Sequence, residues 1–257
     1  MLICVNRDRT GVRCREEHTM TDESLKIAIN FQESAELLTK YLGINGSPVA
    51  FRFATKKEDI PEGMVEIDRT IRHCMMVSLA RTEKKAFYAT VSKHECNGGA
   101  WSLGLKELTS TLKTGEFYFK LGKFASTSAC KRTIDKVPHI ATGETYATMY
   151  APLESTPFIP QIVIIITNPR GMLKLAQSTL FTLGGRIYPE FAGIQSVCTD
   201  ACALPFMSGK PNFSLGCDGS RKFSGIQDGE MVMGMPVEML PEVIAALKVV
   251  VAAPGSK

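Results

Sequence analysis

The stretch CDGSRKFSGI, residues 217–226, reads as a binding loop. A cysteine opens it, glycines stand at 219 and 225, and Arg221 and Lys222 lie between them. Residues 96–105, CNGGAWSLGL, repeat the pattern. Cys96 answers Cys217, Gly98 answers Gly219 and Gly104 answers Gly225, while Asn97 matches Asp218, Gly99 matches Ser220 and Leu105 matches Ile226 in character. Each copy lies downstream of a strand-like run, PVAFRFA (48–54) or PQIVIIIT (160–167), and then of a helix-like segment with a further cysteine, Cys74 or Cys198. This parallel order predicts an internal duplication: two half-domains, approximately residues 46–135 and 158–240, related by a pseudo-twofold that brings the two cysteine–glycine loops together.

The surrounding chain alternates between both periodicities, so the fold class is α+β, in one compact domain over residues 20–257. A helix follows Met20, with Thr21 as its N-cap and acids in its first turn, and ends near Gly43. TIRHCMMVSLART (70–82) reads as a helix, AFYATV (86–91) as a strand and HECNGG as a turn, with a broken helical region over 102–135. TYATMYAPL (145–153) and the β-branched PQIVIIIT are strands, the latter buried on both faces. Helices are expected over 170–182 and 190–208, the second carrying Cys198 and Cys202. EMVMGMPVEML (230–240) begins as a strand with Met231, Met233 and Met235 toward the core. The last helix starts at LPEV, with Pro241 in its first turn. Residues 1–19 are charged and without periodicity. They read as a disordered tail upstream of a start at Met20, which leaves Cys4 and Cys14 outside any site.

Composition narrows the function. With 257 residues, 44% hydrophobic and 22% charged, the chain is an ordinary globular protein. A net charge of +4, without an arginine stripe or lysine run, argues against nucleic acid as partner. The longest apolar runs fall short of the roughly 20 residues that span a bilayer, and the N-terminus is no secretory signal. A cytoplasmic location is therefore expected, with no membrane partner. In a reducing compartment the eight cysteines are core filler, metal ligands or reactive thiols.

From about Gly43 onward the chain resembles the domain of unknown function 169 family of archaeal and bacterial proteins. The resemblance rests on GSPVAFRF (46–53), IRHC (71–74), FYAT (87–90), CNGG (96–99), CTDACALP (198–205) and GKPNFSLGCDGSR (209–221). It implies motif positions and no reaction. It favours Cys198, in its context with Asp200, over Cys202 as the motif cysteine.

Four thiolates from Cys74, Cys96, Cys198 and Cys217 would suit an iron–sulfur cluster, [4Fe–4S] in type, whose ligand spacing is set by the fold. Cys202, spaced C-x3-C from Cys198, is an additional candidate ligand, although the pair could equally be core packing. Structural zinc is disfavoured, because no paired C-x2-4-C knuckles occur. Gly98, Gly99, Gly219 and Ser220 would bring backbone N–H groups to a sulfur or an anion. Arg221 is expected to hold that anion or tune the site, and with Lys222 to lower the pKa of Cys217. An electron-transfer partner or a small anionic ligand follows from this reading. Two alternatives stand beside it. One is a metal-free thiol enzyme or redox protein, with Cys217, or Cys96 aided by His94, as nucleophile. The other is a small-anion binding module. Arg72 and Arg81 are expected to face solvent or pair with acids, and Trp101 to pack over the first loop.

Overall fold

The structure, a computed structural model, describes residues 29–256. The tail over 1–19, the cap at Thr21 and the cysteines at 4 and 14 lie outside them. The first described helix, α1 (Phe31–Leu42), begins one residue after its own cap: Asn30 accepts the Glu33 N–H through Oδ1, and Gly43 closes the helix in the left-handed conformation.

The fold is α+β. Its centre is a six-stranded antiparallel sheet of β1 (Val49–Ala54), β2 (Phe87–Thr90), β3 (Ala147–Pro152), β4 (Ile162–Thr167), β5 (Asn212–Ser214) and β6 (Met231–Pro236), in the order β2-β3-β1-β4-β6-β5. β1 and β4 meet at the middle, with Ala50 opposite Val163. The side-chain period of two divides each central strand between two cores. Val163, Ile165, Met233 and Met235 point to one face, where they meet α1, α7 (Pro169–Thr179) and α10 (Leu240–Ala252). The methionine strand is thus core, as its alternation predicts. Phe51, Phe53, Ile162, Ile164 and Ile166 point to the other face. Covering helices on both sides explain why IVIIIT is apolar throughout and not alternating.

The second face carries the cysteines. α2 (His73–Thr82) crosses it, as do α3 (Asn97–Ser102), a π-helix (Ser196–Ala203) running into α8 (Leu204–Ser208), and α9 (Asp218–Ser224). Three short helices, α4 (Ser110–Lys113), α5 (Glu116–Lys120) and α6 (Thr127–Ile134), fill the broken helical region. Together with Trp101 and Ile194, side chains from α4 and α6 build a satellite core. Two expectations fail here. CNGG is not a turn but the first turn of α3, and CDGSRKFSGI is not an open loop: residues 218–224 are helical and Gly225 is the left-handed cap. In both, the cysteine occupies the N-cap. No helix among the described residues is long and apolar enough to cross a membrane.

Two contacts fix this face. Gly234 of β6 lies directly under the π-helix: a β-carbon there would stand 2.0 Å from the Ala201 carbonyl oxygen. Arg81, at the end of α2, is fully buried and ion-paired with the buried Glu230 just ahead of β6. We predict that Gly234→Ala costs about 1–3 kcal/mol of stability, because the π-helix backbone must move. Denaturant unfolding would measure it, and an unchanged midpoint would refute this reading. Arg81→Met leaves Glu230 buried and uncompensated and is expected to cost about 3–5 kcal/mol, most of it restored by adding Glu230→Leu. A double variant no more stable than the single one would argue against the pairing.

Candidate functional site

The four cysteines singled out by sequence each sit at the start of a helix. Cys96 and Cys217 are the N-caps of α3 and α9, Cys74 is the second residue of α2, and Cys198 is the third residue of the π-helix. The fold brings them to one place. A β-carbon added at Gly99 would lie 3.7 Å from both Cys96 Sγ and Cys198 Sγ, and Cys74 and Cys217 both act electrostatically on Cys198. Arg72, which caps α2 next to Cys74, ties the other segments in. It ion-pairs with Glu95, the neighbour of Cys96, at 3.4 Å, and its guanidinium lies 3.6 Å from the centre of the Phe223 ring in α9.

The thiols feel one another. Burial pushes Cys74 up to about 12, with Cys217 and Cys96 adding to the rise. Burial raises Cys198 well above the ordinary thiol range, and Cys96, Cys217, Asp200 and Cys74 raise it further. Cys217 moves the other way. Burial opposes its ionisation, but hydrogen bonds from Ser196 and Ser220 outweigh it, so its thiol lies below the ordinary value. The Ser220 N–H reaches Cys217 Sγ at 3.4 Å. Among the described residues no three histidine, cysteine, aspartate or glutamate side chains are close enough together to hold a single metal ion.

The expected role of Arg221 is overturned. Its guanidinium donates to three backbone carbonyls, those of Gln227, Leu215 and Glu230, so it braces the turn around α9 and is not aimed at a ligand. The largest contributions to the acidity of Cys217 are the hydrogen bonds from Ser196 and Ser220. Ser220 is likewise engaged: its hydroxyl accepts from the Cys217 N–H at 2.9 Å and lies 3.3 Å from Ser196 Oγ. Gly98 makes room for Gln195, whose amide nitrogen would stand 2.8 Å from a β-carbon there.

Cys202 parts company with Cys198. Cys202 Sγ lies 3.4 Å from His73 Nε2, at one end of a buried chain. His73 Nδ1 meets the Tyr150 hydroxyl at 2.8 Å, Tyr150 donates to Thr148 at 2.9 Å, and His94 Nε2 meets Thr148 at 3.0 Å. Burial lowers both histidines to about 3, so they are neutral. His94 therefore faces Thr148 and is not paired with Cys96 as a base. Trp101 lies within α3 and stacks on His139 at 4.1 Å.

Sequence reasoning passed over three groups at the site. Tyr118 of α5 is raised in pKa by burial and then by Cys96, Cys198, Cys217 and Cys130, so its hydroxyl is within electrostatic reach of the thiols. Ser196 supplies donors to Cys217. Gln195 is buried, has a positive φ of 51°, and neither atom of its amide has a partner. A buried amide without partners is costly and marks a place where a polar group can bind. Serine, glutamine and tyrosine carry no spacing signal, so nothing in the sequence distinguished them.

The chain is 42% identical over 218 residues, 84% of its length and 93% of the relative's, to the uncharacterised protein MJ0308 of Methanocaldococcus jannaschii. No solved structure matches it. The family model of domain of unknown function 169, described as an uncharacterised ArCR, matches residues 37–246, a span that runs from within α1 into α10 and holds every cysteine of the site. The chain belongs to the domain of unknown function 169 family.

Proposed function

We propose that the four cysteines hold an iron–sulfur cluster of the [4Fe–4S] type. The observation that carries this reading is the meeting of Cys74, Cys96, Cys198 and Cys217, each at the positive end of a helix. The donor set is soft, as suits an iron–sulfur cluster. The missing side chain at Gly99 leaves free the space beside two of the sulfurs. Such a group, when bound, supplies one-electron transfer or, at an open corner, ligand activation. The chain's own residues do the rest. Helix N-termini and the donors from Ser196 and Ser220 stabilise thiolate charge, the Tyr118 hydroxyl is within electrostatic reach of three of the thiols, and the Gln195 amide offers a donor and an acceptor to whatever binds beside Gly98. An electron-transfer partner and a cytoplasmic setting belong to the same proposal.

The pseudo-twofold duplication belongs here too. It is supported by the strand order, in which β2-β3-β1 and β4-β6-β5 are arranged oppositely about the β1–β4 pair. Each half also runs strand, cysteine helix, strand, cysteine-capped helix, strand. Cys74 then corresponds to Cys198 and Cys96 to Cys217.

Anaerobic purification, with iron and sulfide supplied if needed, is expected to yield a brown protein with matching iron and sulfide. Serine at any of the four positions should lower bound iron at least tenfold, whereas Cys202→Ser and Cys130→Ser should retain it. Protein that stays colourless and iron-free after reconstitution would sink the proposal.

A metal-free thiol mechanism is the second reading. It is favoured by one observation: Cys217 is the thiol held by hydrogen-bond donors, while Cys74 and Cys198 are disfavoured as thiolates. Mass-spectrometric mapping after brief iodoacetamide treatment separates the two. If Cys217 is an open nucleophile, it is modified first in protein as purified, and chelation changes nothing. If the cluster is present, Cys217 is protected until iron is stripped.

A further inference from the structure

A second feature stands beside the cysteine site. A cleft of about 610 Å³ opens between α6 and the segment before the π-helix, within the roughly 300–1,000 Å³ typical of small-molecule sites. One of its lining residues is Thr199, the residue after Cys198. Thr199 is 1% exposed, and its hydroxyl has no hydrogen-bond partner. Val137 and Ile194 give the cleft a buried apolar wall and Phe191 a more exposed one. At the mouth stand Arg132 and Lys136, both exposed.

The wall is built rather than incidental. Asn212 of β5, itself buried, accepts from the Glu190 N–H at 2.9 Å and donates to the carbonyls of Glu190 and Asp200, each at 2.9 Å. One side chain thus fastens the segment before the π-helix to the π-helix itself. Two acids also line the cleft. The Asp200 carboxyl is turned onto Ser214, whose hydroxyl it accepts at 2.7 Å, and Glu190 lies exposed on the outer segment.

We infer that this cleft binds a small organic carboxylate, its hydrocarbon body against Val137, Ile194 and Phe191 and its charged end between Arg132, Lys136 and the Thr199 hydroxyl. An unpaired buried hydroxyl and two cations ask for an acceptor with negative charge, and the apolar wall asks for carbon. The inference stands on the cleft alone and holds whether or not the cysteines carry a metal.

Ligand-observed fluorine NMR with para-fluorobenzoate, and with the neutral para-fluorobenzamide as control, tests it on the full chain as purified and again after chelation. Saturable binding of the acid is expected in both, at least tenfold tighter than the amide. Arg132→Ala with Lys136→Ala should weaken it about tenfold or more, and Thr199→Val several-fold. Both positions of the double variant are exposed, so its thermal unfolding should match that of the unaltered chain. No saturable binding, equal binding of acid and amide, or full affinity in the double variant would each overturn the inference.

Discussion

The ion pair between Arg81 and Glu230 is the constraint on which the cysteine face depends. Charges that far from water need several partners, and both have them. Arg81 also donates through Nε to the Asn45 carbonyl at 2.8 Å, and Glu230 accepts the Gln227 N–H at 2.9 Å. Arg221 in turn donates to the Glu230 carbonyl at 3.0 Å. Three segments distant in sequence are thereby joined: the turn before β1, the end of α2, and the stretch between α9 and β6. Gly46 completes the joint, since a β-carbon there would stand 2.5 Å from the Arg81 carbonyl oxygen. The pair's consequence is registration. It sets α2, and Cys74 with it, against α9 and Cys217.

Once these helices are fixed, their starts share one small volume, and this explains the electrostatics. Four thiols brought together oppose one another's ionisation, and burial adds to that opposition. Helix N-termini and hydrogen-bond donors work in the other direction. At Cys217 the donors prevail; at Cys74 and Cys198 they do not. A cation bound among thiolates would add an attraction to each that outweighs their mutual repulsion.

Much of the fold was legible because strands and long helices announce themselves by period. β1, β4, β6, α2 and α10 fall where alternation, β-branching and capping place them. The four site cysteines were legible too, through a repeat of short motifs. What was not legible depends on tertiary structure. CNGG has poor intrinsic helix propensity, yet it is helical because α3 is buried against the π-helix. The three-residue β5 is too short to show a period. Arg221 looked like a free cation only because its carbonyl partners come from a turn that the sequence does not reveal. Cys202 meets His73 of α2, a partner from a distant segment that the C-x3-C spacing does not reveal.

The motif residues divide into two kinds once the structure is in hand. Cys74, Cys96, Cys198 and Cys217 are the proposed site. Most of their companions hold it in place: Gly46 seats the end of α2, Arg72 clamps three cysteine-bearing segments, Gly98 admits Gln195, Asn212 fastens the π-helix, and Arg221 locks the turn around α9. None of these braces needs to touch a ligand to be indispensable. Thr199 and Gln195 are different. Each is buried in or beside the π-helix with polar atoms that nothing in the protein satisfies, and neither braces anything through its side chain. The fold spends many hydrogen bonds on positioning these segments and leaves those two side chains unmatched, so they are the ones that the proposed ligands would satisfy.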